Sequence, residues 1–378
     1  MKICIINESF DVGGVERVTS ELANTLQEDG NTITLIDFSG KNQFYYKLNK
    51  EINTPRIIKK RKIRSKIIGK ILKYRYELTQ KTYDIKALFK DSTEELIKYL
   101  KEDEPDILIL CQGKLTSLIP VLKRETHNMK IIAWQHNEYE VYVEQYYKPF
   151  INYYKLGLEQ ADLVVCLSES DKGKYGKINA NTECIYNPIT ITNKESSISN
   201  MENKYIIFVS RLIIKQKGLD YLIEIAKNIE NGWKILVAGD GSDKKEFIKM
   251  IKKNHLEDRV ILKGVLSTKE LSELYQSGSI FISTSRWEGF GLVITEAMTF
   301  GLPIISFNNS GPREILKDGE FGILIDQNNI QEFTRELNIF LKNPQKRKFY
   351  QKKSLIRVQD FKKEVILNKW NRKMNELI

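Results

Sequence analysis

Twelve short aliphatic runs, separated by longer stretches whose apolar residues recur at helical spacing, limit the folds open to this chain. KICIIN, TITLIDF, DILILC, KIIAWQ, LVVCLS and TECIYN fall in the first half; YIIFVS, KILVAG, RVILKG, IFISTS, PIISFN and GILI fall in the second. Short strands interleaved with helices predict an α/β protein whose parallel sheets are covered by helices on both faces. A length of 378 residues exceeds one ordinary core and predicts two domains of about 180 residues each. Residues 190–203, TITNKESSISNMEN, are polar and almost free of large apolar side chains, and read as the linker. Residues 1–190 and 204–360 are then two Rossmann-like domains. Residues 361–378 read as a helix with Val365, Leu367, Trp370 and Met374 available for packing.

Composition narrows the setting. A hydrophobic content of 41% permits sizeable cores. Cys4, Cys111, Cys166 and Cys184 are widely spaced and form no C-x-x-C pair, which predicts reduced, buried thiols and a cytosolic protein. MKICIINESF lacks the apolar core of a signal peptide, and no apolar run approaches the roughly 20 residues that cross a bilayer. The expectation is a cytoplasmic protein, or one peripheral on the inner face of the membrane. Net charge is +11, and residues 55–90 hold thirteen Lys or Arg against Glu77 and Asp84, so the rest of the chain is close to neutral. Ile57, Ile58, Ile63, Ile67, Ile68, Ile71, Leu72, Tyr74 and Tyr76 are interleaved with those charges. The segment reads as a basic amphipathic helix able to lie on an anionic leaflet, or as a solvated loop and helix. No nucleic-acid module or stacking-aromatic motif accompanies the charge, so nucleic acid is not an expected partner.

The most informative string is SRWEGFGLVITEAMTFGLP at residues 285–303. Gly289 and Gly291 bracket a turn that lets backbone approach a ligand, and the first amides of the helix that follows suit an anion such as a sugar diphosphate. Glu288 and Glu296 stand eight positions apart. On one continuous helix that is about 12 Å, too far for a hydrolase carboxylate pair. GGVERV at residues 13–18 follows the first strand, so the amides of Gly13 and Gly14 can reach a phosphate or sugar, or simply let a helix pack. SRLIIKQKG follows the first strand of the second half and carries Arg211 and Lys217; VAGDG, with Gly239, follows the next. Of three histidines, His127 and His255 have polar neighbours, while His136 ends the apolar run IIAWQHN and is either a core histidine or a cleft-facing one.

GGVERV, WQHN, YNPI, SRLIIKQKGLDYLIEIAK, VAGDG and the Glu pair, in that order, resemble the retaining nucleotide-sugar glycosyltransferases of glycosyltransferase family 4. That resemblance implies the GT-B fold, with two Rossmann-like domains facing across a cleft and the last helix crossing back to the first domain. It implies that Arg211 and Lys217 hold the donor diphosphate, neutralising charge that grows as the glycosidic bond breaks. It implies that Glu288 reaches the donor-sugar hydroxyls, that Glu296 holds the ribose and that His136 contacts the transferred sugar; Glu296 as a plain helix-surface residue is the alternative. Gly13, Gly14, Gly239, Gly289, Phe290, Gly291 and Leu292 complete the expected donor site. No Asp-x-Asp occurs, and metal-held diphosphates need clustered carboxylates, so no metal or other cofactor is expected. The implied activity is transfer of a hexose or N-acetylhexosamine, UDP-sugar being the expected donor, to a glycan or polyprenyl-linked glycan acceptor in bacterial surface-polysaccharide assembly. A GT-B UDP-sugar epimerase and a non-catalytic partner subunit are the alternatives.

Overall fold

Aliphatic side chains at consecutive positions make strands that must be hidden on both faces, and these are. Ile3 to Ile6, Leu108 to Leu110 and Ile131 to Ala133 have no solvent exposure. The computed structural model describes residues 1–59, 63–126, 128–191 and 198–378. His127, residues 192–197 of the expected linker, and Lys60, Arg61 and Lys62 of the basic segment lie outside the described residues.

Each of the twelve runs forms a strand. The chain divides into two compact units, one of residues Met1–Pro188 with Lys363–Ile378, the other of Ile189–Lys362. The first unit holds β1 (Lys2–Asn7), β2 (Thr32–Asp37), β3 (Ile107–Cys111), β4 (Lys130–Trp134), β5 (Leu163–Cys166) and β6 (Thr182–Cys184), in the order β2-β1-β3-β4-β5-β6. The second holds β7 (Tyr205–Val209), β8 (Lys234–Ala238), β9 (Val260–Gly264), β10 (Ile280–Ser283), β11 (Ile304–Phe307) and β12 (Ile323–Ile325), in the order β12-β11-β10-β7-β8-β9. Every neighbouring pair is parallel. Helices connect the strands, so each unit is a doubly wound Rossmann-like sheet.

The helix Lys363–Asn375 packs in the first unit through Ile366, Trp370 and Met374, spaced four apart on one helical stripe. Val365, expected to pack, is instead 39% exposed; the buried stripe runs one residue later, through Ile366. Trp370 meets Trp134 edge to face at 5.1 Å, and Lys363 pairs with Glu21 at 2.7 Å. The four cysteines are free and buried.

In the basic segment a helix spans Ile63–Thr79. Ile58 does not join an outer apolar face: it is 2% exposed, within the core of the first unit. Ile67, Ile71, Tyr74 and Leu78 are each more than half exposed and recur at one-turn spacing, so they form a single outward stripe. Among the described residues no helix is long and apolar enough to cross a membrane.

Trp370→Ala removes an aromatic pair at the centre of the docked helix. Chemical denaturation should show a loss of roughly 3–5 kcal/mol, the usual cost of truncating a buried Trp; a loss below about 1 kcal/mol would contradict this packing.

Candidate active site

In the second unit the sheet grows from β7 in both directions, to β8 and β9 on one side and β10 to β12 on the other. Connections leaving β7 and β10 therefore diverge, and the carboxyl ends of these neighbouring strands are where an open α/β sheet can take a ligand. The two most distinctive motifs emerge there. SRLIIKQKG leaves β7, and SRWEGFG leaves β10.

Lys217 ends a short helix, Ile214–Lys217, and Gly218 caps it at φ +60°. A Cβ on Gly218 would stand 2.1 Å from the Thr284 carbonyl oxygen, so the chain following β10 can approach only a glycine here. Thr284 Oγ1 donates to the Lys217 and Gly218 carbonyls at 2.8 and 3.0 Å, bolting the two motifs together. Lys217 is 7% exposed, and its Nζ forms an ion pair with Glu288. Ser285 Oγ donates to the same Glu288 oxygen at 3.3 Å. Arg211 lies in the loop after β7 with its Nη2 3.5 Å from Gln216 Oε1, and is otherwise exposed. Gly239, at φ +131°, sits where a Cβ would be 1.9 Å from the Ser210 carbonyl, which lets the loops after β7 and β8 lie against each other.

After Glu288 the chain runs through buried Gly289 and Phe290; the Phe290 ring is 3% exposed and meets Phe361 edge to face at 5.8 Å. Gly291, at φ +104°, is the N-cap of the helix Leu292–Thr299, with no side-chain cap hydrogen bond. Backbone donors at that end, Leu292 first, carry the positive pole of the helix. Glu296 lies inside this helix. It is not a surface residue: it is 1% exposed, and its oxygens accept from Thr190 Oγ1 at 2.6 Å and from Tyr275 OH at 2.9 Å.

Gly13, Gly14 and His136 belong to the first unit. Gly13 precedes the helix Gly14–Glu28 in extended backbone, and its carbonyl accepts from Tyr46 OH at 3.1 Å. His136 follows β4 and is 8% exposed; its ring stands 4.2 Å from that of Trp134. It is buried but not satisfied, since Nε2 has no partner among the described residues. Burial drops its pKa from the ordinary 6.5 to about 3, so the ring is neutral at physiological pH. His255 is exposed. Among the described residues no group of three or more His, Cys, Asp or Glu side chains is placed to hold a metal ion.

The structure thus brings Arg211, Lys217, Gly239, Glu288, Gly289, Gly291 and Leu292 to the strand ends of one unit. Sequence reasoning missed Thr190 and Tyr275, which hold Glu296, and the pair Asp220 and Arg286 beside Lys217. Partners 21 to 106 residues away leave no local signal. Chemically the arrangement offers a fixed cation, an exposed guanidinium and the amide end of a helix for an anion, with a carboxylate for hydroxyls.

Because the folded state refuses a proton that the unfolded chain accepts below about pH 6.5, His136 costs stability progressively as pH falls from 6.5 towards 3. By NMR, its ring carbon–proton resonances should hold their neutral positions from pH 8 to about pH 5; a midpoint near 6.5 would overturn this reading.

Family models match nearly the whole chain: "Glycosyltransferase Family 4" over residues 12–193 and "Glycosyl transferases group 1" over residues 190–355. The chain is 29% identical over 366 residues to an uncharacterized glycosyltransferase of Haemophilus influenzae, covering 95% of each. It is 28% identical over 385 residues to the amylovoran biosynthesis glycosyltransferase AmsD of Erwinia amylovora, covering 99% of each. The crystal structure of HepE from Anabaena in complex with UDP superposes with a TM-score of 0.77, at 18% identity over all of both chains. With its motifs in order and both sheets of the expected kind, the chain belongs to glycosyltransferase family 4 and is a glycosyltransferase of the GT-B fold.

Proposed function

We propose that this enzyme moves a hexose or N-acetylhexosamine from a UDP-sugar to a glycan or lipid-linked glycan acceptor, with retention and without a divalent metal, in bacterial surface-polysaccharide assembly. The observation that carries this reading is the buried Lys217, held against Glu288 at the ends of β7 and β10, close in sequence to the Gly291-capped start of the helix at Leu292. The HepE complex supports UDP as the nucleotide, and the name of AmsD supports an exopolysaccharide setting.

In this reading Lys217, Arg211 and the helix amides bind the diphosphate, Glu296 the ribose and Glu288 the sugar hydroxyls. His136, as a neutral ring, contacts the transferred sugar. As the bond from C1 to the phosphate oxygen stretches, negative charge collects on that oxygen and is met by cations already in place. The acceptor hydroxyl attacks C1 from the same face, and its proton passes to the departing phosphate oxygen. UDP and the new glycoside leave, and the anomeric configuration is kept.

Transfer should persist in excess EDTA, and a requirement for added magnesium or manganese would refute the metal-free part. Arg211 has one long contact, so Arg211→Ala should change folding stability by less than about 0.5 kcal/mol. The same substitution should lower kcat by roughly 100- to 1,000-fold. An unchanged kcat would remove Arg211 from the site.

The exposed stripe of Ile67, Ile71, Tyr74 and Leu78, bordered by exposed Lys70, Lys73 and Arg75, supports placement on the inner face of the cell membrane through an anionic leaflet. Sedimentation with phosphatidylglycerol vesicles should fall several-fold in Ile71→Glu/Leu78→Glu and at high salt. Equal binding to neutral phosphatidylcholine vesicles, or none to either, would contradict it.

A further inference from the structure

The loop that delivers Glu288 is tied to the helix that delivers Lys217 by one of its own residues, Arg286, which has no part in the donor contacts described above. Its guanidinium forms a two-pronged pair with Asp220, Nη1 to Oδ1 at 2.9 Å and Nη2 to Oδ2 at 2.6 Å. Nη1 also donates to the carbonyls of Ile214 and Lys215, both at 3.3 Å. The same group lies over the Tyr221 ring at 3.8 Å, and the Arg286 amide donates to the Gln216 carbonyl at 2.8 Å.

These contacts share one property. Every partner lies between Ile214 and Tyr221, the short helix carrying Lys217 and the start of the next helix, Leu219–Lys227. Arg286 itself stands two positions before Glu288. Helix Ile214–Lys217 is a single turn and cannot hold itself. The Ile214 carbonyl accepts from the Gly218 amide at 2.9 Å as well as from Arg286, while the Lys215 carbonyl is an end group to which Arg286 supplies a donor. Two parallel N–H···O bonds with a ring beneath fix a planar group in position and rotation, which a lysine ammonium cannot do.

We infer that Arg286, clamped by Asp220 and Tyr221, is a positioning residue for the donor site: it sets the spacing between Lys217 and Glu288 without touching the substrate. This rests on the donor-site reading above and adds a determinant that belongs to neither the Arg-Lys nor the Glu-Glu motif. Loss of the clamp should let the Lys217 turn and the Glu288 loop move independently, so the site loses its grip on a diphosphate more than its grip on a nucleoside.

Arg286→Lys, Asp220→Asn and the double variant test this with two readouts. The first is acetylation of Lys217 by acetic anhydride, followed by mass spectrometry on the unliganded protein. Wild-type Lys217, buried and paired, should react slowly, and each variant should react at least about 5-fold faster. The double variant should be no faster than the single ones, as coupled partners require. The second is calorimetric binding of UDP and of uridine, in which Arg286→Lys should weaken UDP by about 10-fold or more while changing uridine less than about 2-fold. Unchanged Lys217 reactivity, or equal weakening of both ligands, would overturn the clamp. Failure of the wild-type protein to bind UDP would instead count against the donor assignment, leaving the acetylation result to decide the clamp.

Discussion

A lysine that is 7% exposed has lost most of its surrounding water, and for Lys217 Glu288 stands in its place as an ion-pair partner. Much of the second unit's site is arranged to make that pair possible. Gly218 turns left-handed so that the chain after β10 can lie on it, Thr284 binds the two carbonyls at the turn, and Ser285 donates to the carboxylate. The pair keeps the ammonium ordered at the strand ends, where the proposed diphosphate would need it. In the proposed donor role a pyrophosphate would meet a cation already desolvated and placed, with little reorganisation left for the transition state. In that role Glu288 also serves the sugar hydroxyls, so one ion pair would serve both halves of a donor molecule.

Sheet order explains why the pair forms at these positions. Each unit grows its sheet outward from its first strand, leaving one gap between diverging connections, β1/β3 in the first and β7/β10 in the second. An ion pair spans both gaps. In the second unit the lysine follows the first strand and the carboxylate follows its neighbour. In the first, Glu8 follows β1 and Lys114 follows β3, with the charges reversed. Backbone that leaves a parallel sheet in opposite directions needs ties across the split, and charged side chains at a solvent-facing crevice are also the groups that polar substrates can use.

Strands were readable because burial on both faces demands unbroken aliphatic runs, which few other structures tolerate; all twelve runs became strands. The Glu pair and the Arg-Lys pair were readable because their spacing within short segments resembles a known family. Side-chain placement was less accessible. Helical period alone does not separate Val365 from Ile366, and packing against Trp134 favours the stripe of Ile366, Trp370 and Met374. Ile58 looked like part of a membrane face because its neighbours are basic, yet it closes the core of its own unit. Glu296 sits in a helix whose exposed side cannot be told from eight residues, and Thr190, which helps to bury it, lies 106 positions earlier. Arg286 carries no local signal because its partner Asp220 is 66 residues away.

Where a donor's phosphates lie tests the role of the Lys217–Glu288 pair most directly. A crystal structure of the enzyme with UDP bound should place β-phosphate oxygens within about 3 Å of Lys217 Nζ and of the Arg211 guanidinium, at the amide end of the helix that begins at Leu292. Phosphates bound elsewhere, or Lys217 still engaged by Glu288 alone with UDP in place, would contradict it.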